Sequence, residues 1–133
     1  MSTLASLALQ QAIFARLSGD AGLMAAVSGI FDHVPANATL PYLRLAAAAA
    51  SDWSTKSFSG QRHRIAVQIF SEARGDSEAK TLADLVHALL DGASLTLAGH
   101  QLVRLGFESL QMLREPDGIR QALLRFEALT HPL

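Results

Sequence analysis

Any chemistry in this chain would have to be built from five histidines and a scatter of carboxylates. His33, His63, His87, His100 and His131 stand at irregular separations, and none has the i, i+4 helical pairing that offers two imidazoles to one zinc ion. The chain has no cysteine, so thiolate ligands and disulfides are excluded together. His87 follows Asp84 by three residues and precedes Asp91 by four. That grouping reads either as a weak metal or acid–base site or as the solvated face of a helix. Charged helix faces are ordinarily solvated, which favours the second reading. Asp84, Asp91, Glu108, Glu115 and Asp117 would serve as a general acid and base only if the fold paired two of them, and their spacing gives no sign of it. No GxGxxG, GxxxxGK[ST] or GxSxG string occurs. No catalytic residue, cofactor-binding residue or metal ligand is assigned, and no cofactor is expected.

Two other features remain. Trp53 and Phe58 lie with Lys56 in the polar stretch SDWSTKSFSG, residues 51–60. Large aromatics on a polar loop either mark an interface or fold back onto the domain's own core. Arg62 and Arg64 fall on one face of a strand, with Arg125 and Glu127 on another strand. Such faces are solvated, rim an interface, or form salt bridges between subunits.

The elements that position these residues follow from periodicity. A helix is expected from about Thr3 to Ser18, with Thr3 as N-cap, Gly19 as its stop, and Leu4, Leu7, Ala8, Phe14 and Leu17 on its apolar face. Asp20 caps a short second helix, Ala21 to Val27, docked by Leu23, Met24 and Val27. Ile30-Phe31 is a short strand or an extended connector. Pro41 disfavours helix before it, so Tyr42 to about Ala49 reads as a strand with Leu43, Leu45 and Ala47 on one face. Gln61 to Ser71 alternates cleanly, with Ile65, Val67 and Ile69 pointing one way. A helix from about Ser77 to Asp91, capped by Asp76 and stopped by Gly92, carries Ala79, Leu82, Ala83, Val86, Leu89 and Leu90 at helical spacing. Leu95 to Leu97 suggests another short strand. In Gln101 to Arg114 the phase slips between Val103, Leu105 and Phe107 and Leu110 and Met112, which predicts a bulge near Glu108-Ser109. Glu115-Pro116-Asp117-Gly118 is a turn, and Ile119 to His131 is the last strand. The expectation is one α+β domain over residues 1–133, in the order α-α-β-β-α-β-β. Its antiparallel sheet has about four main strands, with helices packed on one face.

The bulk properties narrow the function classes. A chain of 133 residues buries enough surface for a core without staples. Its formal charge is −1, from 11 basic and 12 acidic residues, so it lacks the basic excess of a tight nucleic-acid binder. The longest apolar run, Leu45 to Ala50, is too short to span a bilayer, and no targeting signal is visible at the N-terminus. A soluble protein without a membrane partner is expected.

The chain resembles the small tail-completion, or tail-terminator, proteins of long-tailed phages and gene transfer agents. The resemblance rests on ALQQAIFARL in the first helix, PYLRL opening a strand, SDWSTKSFSGQRHRIAVQIFSEARG, the helix SEAKTLADLVHALLDG, and the closing LREPDGIRQALLRFEALTHP. It spans nearly the whole chain and is carried by diffuse patterns. It implies a structural virion protein without catalysis or cofactor. Such a protein forms a homohexameric ring at the head-proximal end of the tail tube, assembled in the cytoplasm. The ring would stop tube polymerisation and meet the tail tube protein on one side and the head-side connector on the other, with DNA only as passing cargo. The subunit and tube contacts are expected among Trp53, Lys56, Phe58, Arg62, Arg64, Arg125 and Glu127. Two alternatives stay open: a head-completion or neck adaptor, and a small α+β ligand-binding domain or enzyme.

Overall fold

The computed structural model describes residues 4–57, 59–72 and 75–133, with the backbone alone at 47 and 48. Among the described residues, three helices, α1 (Ser6–Ser18), α2 (Ala21–Ala26) and α3 (Ser77–Leu90), accompany six strands. These are β1 (Ile30–Phe31), β2 (Tyr42–Asp52), β3 (Gln61–Ser71), β4 (Thr96–Leu97), β5 (His100–Arg114) and β6 (Arg120–Pro132). They form one sheet in the order β1-β2-β3-β6-β5-β4. The fold is α+β as expected, but its sheet has six strands and is mixed. Ile30 and Phe31 run parallel to β2 opposite Leu43 and Arg44, so the short segment before the prolines becomes an edge strand. The four long strands are antiparallel throughout.

Both hairpins follow from local chemistry. In the β5–β6 turn, Gly118 adopts φ 88°, which favours glycine, and its N–H donates to the Glu115 carbonyl at 3.0 Å. The Asp117 carboxylate accepts from the Ile119 N–H at 3.1 Å. The bulge predicted near Glu108-Ser109 is present: Phe107 faces Phe126, but Ser109 faces Arg125. It brings Leu110 and Met112 onto the same sheet face as Leu105 and Phe107. A second irregularity between Leu102 and Arg104 displaces Val103, which is 49% exposed rather than sharing the buried face of Leu105.

The core lies between one sheet face and the helices. Val67, Ile69, Leu124 and Phe126 are fully or almost fully buried against Leu82, Val86 and Leu90 of α3. Leu89 is only half-buried; Leu90, four residues after Val86, takes the inward place. Asp76 makes no side-chain cap on α3 and instead lies 3.6 Å from Arg120. Asp20 does cap α2, accepting from the Leu23 N–H at 2.9 Å.

Helix α1 packs in a different phase from the expected one. Its buried residues are Leu9, Ile13 and Leu17, at successive i+4 positions, whereas Leu4, Leu7 and Phe14 are 60%, 65% and 44% exposed. Apolar residues occur all round this segment, so spacing alone did not select a stripe. The helix begins after Ala5, which makes no side-chain cap, and Thr3 lies outside the described residues.

Candidate functional site

The sheet face opposite the helices mixes charged residues with apolar ones such as Phe70, Leu123 and Leu129, and its charged residues come from alternating positions of four strands. The register puts Arg44 of β2, Arg62 and Arg64 of β3, and Arg125 and Glu127 of β6 on this side, with Arg104 and Glu108 of β5 beside them. Five arginines against two glutamates leave the face with an excess of three positive charges in a chain of net charge −1.

Glu127 is the centre of this arrangement. Its side chain is 21% exposed and lies 3.3 Å from Arg62 Nε and 3.7 Å from Arg104 Nη1. The Arg62 contact is ionic rather than a well-angled hydrogen bond, since that Nε is buried and forms none. Arg64 stands directly opposite Glu127 in the register but turns to Glu108, donating to both carboxylate oxygens at 3.1 and 3.2 Å. Arg125 donates to Gln111 at 3.2 Å, and Arg44 to Gln68 at 2.7 Å. Gly106, opposite Glu127 on β5, makes the Arg104 contact possible. A Cβ there would stand 2.7 Å from the Arg104 guanidinium, which lies across the bare backbone. With exposures of 58% for Arg64 and 60% for Arg104, these pairs contribute at most about 1 kcal/mol each, so their role is charge layout rather than stability.

Trp53 and Lys56 sit apart from this set, at the β2–β3 hairpin tip. Trp53 is half-buried and Lys56 exposed. The tip is held by its own polar groups. The Trp53 N–H donates to the Gly60 carbonyl at 2.7 Å, and Ser54 Oγ accepts from the Gly60 N–H at 3.1 Å while donating to Asp52 at 2.6 Å. Phe58 lies outside the described residues.

The sequence singled out Arg62, Arg64, Arg125 and Glu127, and the fold brings all four onto one face. It did not single out Arg104 or Gly106, and it named Glu108 only among the scattered carboxylates and at the bulge. Their signal is the pair of irregularities in β5, only one of which shows in the hydrophobic phase.

The histidines do not converge on a ligand. Among the described residues no three of His, Asp and Glu cluster to hold a metal ion. His87 lies 3.7 Å from Asp91 and stacks edge-on against Phe107 at 4.8 Å, while the Asp91 carboxylate also accepts from the Phe107 N–H at 2.9 Å. His63 is buried, with Nε2 2.9 Å from Thr130 Oγ1. Burial, and secondarily the neighbouring His100, push its pKa below the ordinary histidine value. The unfolded chain therefore binds a proton that the fold resists. The stability contributed by neutral His63 should be complete above about pH 6.5 and be lost as the pH falls from there through the lowered pKa. Thermal melts between pH 7.5 and 5 should show this loss, and His63→Gln should flatten it. An unchanged pH profile in that variant would place the titration elsewhere.

The geometry thus offers a charged open face, a projecting hairpin and no catalytic constellation among the described residues. A family described as Tail completion protein gp17 matches residues 11–131. A chain from a structure titled as the virion of a native gene transfer agent particle is 32% identical, with a TM-score of 0.90 over 98% of this chain and 99% of that one. The gp17 protein of bacteriophage SPP1 shares the fold at 21% identity, with a TM-score of 0.64 over 93% of this chain and 89% of its own. No curated protein matches.

Proposed function

Because the chain belongs to the Tail completion protein gp17 family, we propose that it is a structural component of a phage-like or gene transfer agent particle. It forms a homohexameric ring that ends the tail tube and joins it to the head-side connector. The observation that carries this reading is the match, along almost its full length, to a chain of a gene transfer agent virion. The physical features support it. A tail tube grows by repeated heterologous contacts and stops only when a different surface is presented. This domain carries an open face of alternating charge and a hairpin tip with Trp53 and Lys56 that extends from the strands. In the proposed ring, Trp53, Lys56 and Phe58 meet the tube, while Arg62, Arg64, Arg125 and Glu127 belong to subunit contacts or their rim. The ring assembles in the cytoplasm and ends in the virion, DNA passing through it as cargo.

Deletion of the gene from a particle-producing strain tests this. The expected products are filled heads without tails, together with tubes of abnormal length, and the wild-type chain should restore joined particles. Tails of normal length beside tailless heads would favour a neck adaptor instead. Normal tailed particles from the deleted strain would end the proposal and return attention to a ligand-binding or enzymatic role.

A further inference from the structure

We propose that the two long edges of the sheet are complementary halves of one joint, the β5 edge of one copy pairing antiparallel with the β2 edge of the next. This rests on the ring reading and names its contact.

Both edges are only partly covered. On one side β1 spans just the Leu43–Arg44 stretch, and among the described residues no strand pairs with the outer side of β2 from 45 to 52. On the other side β4 pairs only with His100 and Gln101. The Gly92 N–H caps the Leu105 carbonyl at 2.8 Å and Asp91 takes the Phe107 N–H, after which β5 from 108 to 114 has no outer partner among the described residues. Proteins that stay monomeric protect such edges with lysine, proline or inward charge. The stretch from Leu45 to Ala50 is one leucine and five alanines, with no such guard.

The exposed apolar residues follow the same two edges. Leu7 and Phe14 on α1, and Leu4 just before it, are exposed beside β2: one groove is shared by Leu7, Phe14, Phe31 and Leu45, and another by Leu4 and Ala50. Val103 and Leu110 are exposed on β5 itself. Among the described residues, the one other large apolar side chain as exposed is Leu133.

Strand direction and charge select the occupant. The long strands β2, β3, β6 and β5 alternate, so the first and last run in opposite directions. A second copy set alongside by rotation alone therefore continues an antiparallel sheet. Exposed Asp32 and Asp52 flank the open part of β2, and exposed Arg104 and Arg114 flank that of β5. Antiparallel alignment carries Asp52 toward Arg104, which also lies 3.7 Å from Glu127, and Asp32 toward Arg114, while Glu108 is engaged by Arg64. A contact between unlike edges is heterologous and closes into a ring when the rotation permits.

The chain's lack of cysteine makes the test direct. Ala49→Cys, on the open-face side of β2, is combined in turn with Ser109→Cys, Gln111→Cys and Leu113→Cys, on the same side of β5. Oxidation of the purified full-length chain, and of particles from the complemented strain, is followed without reductant. At least one double variant should give a ladder of covalent multimers, and no single variant should. Leu7→Lys and Leu110→Lys should lower the assembled fraction by about tenfold or more with the melting temperature retained. Dimers from a single-cysteine variant would show a two-fold contact and overturn the proposal. Rings that form equally well in both lysine variants, with no cross-link from any double variant, would overturn edge pairing and leave the ring standing. A chain that stays monomeric at every concentration, and beside the tube, would overturn both.

Discussion

Val67→Asp is expected to remove a large share of the chain's folding stability. Val67 is fully buried, paired with Leu45 on one side and Leu124 on the other, and roofed by α3. A carboxylate there has no cation within the apolar layer and must either stay charged without a partner or take up a proton. The expected cost is about 3–5 kcal/mol, against a total of about 5–15 kcal/mol for a domain. That corresponds to a fall in melting temperature of roughly 10–20 °C for a domain of this size. Gln68→Glu, one residue along and on the open face beside Arg44, is the control and should change stability by no more than about 0.5 kcal/mol. Equal melts for the two variants would mean that the faces of β3 have been assigned the wrong way round.

Replacing the hairpin tip should separate folding from particle assembly. Asp52 lies directly opposite Gln61, so residues 53–60 can be exchanged for Asn-Gly, a two-residue turn suited to that register. Core residues are untouched, and the variant should melt close to the wild type. If Trp53, Lys56 and Phe58 meet the tube, however, every copy in the ring loses the same contact at once. The yield of joined particles in the complemented strain should then fall by about a hundredfold or more, because multivalent attachment multiplies a small loss in each site. Wild-type yield with a folded, tip-exchanged chain would remove the tip from the tube interface while leaving the ring itself intact.

What the sequence revealed depended on whether a pattern had one physical reading or several. Strand β3 alternates without ambiguity, and its ends at Gln61 and Ser71 were legible. Helix α3 was legible for the same reason, with Ser77, Glu78, Lys80, Thr81 and Asp84 alternating at helical spacing with its buried Ala79, Leu82, Ala83, Val86 and Leu90. Helix α1 was recognised as a helix, and Leu17 and Ala8 of its expected face do meet the core, but Leu4, Leu7 and Phe14, as apolar as the buried Leu9 and Ile13, point outward. The parallel pairing of Ile30-Phe31 depends on where the chain returns after two prolines, which no local pattern encodes. On the open face, alternation put Arg62 and Arg64 on one strand face and Arg125 and Glu127 on another strand, but neither their adjacency nor their choice of partners followed from it. Arg64 reaches Glu108 because a bulge adds a residue to β5, and Arg104 reaches Glu127 because Gly106 has no side chain.

The place of β6 has a consequence for the order of events during synthesis. It is the last strand in chain order, yet it lies at the middle of the sheet, between β3 and β5. Until residues 120–132 leave the ribosome, β3 has a partner on one side only, and the two hairpins cannot share a core. Domains dominated by such distant pairings fold late and slowly. A chain interrupted before β6 would expose the edges of β3 and β5, invite strand addition of the wrong kind, and lack the central strand that sets the spacing of its outer edges. Assembly competence is therefore coupled to translation of β6: a chain stalled short of it has no fixed outer surface to present to finished copies.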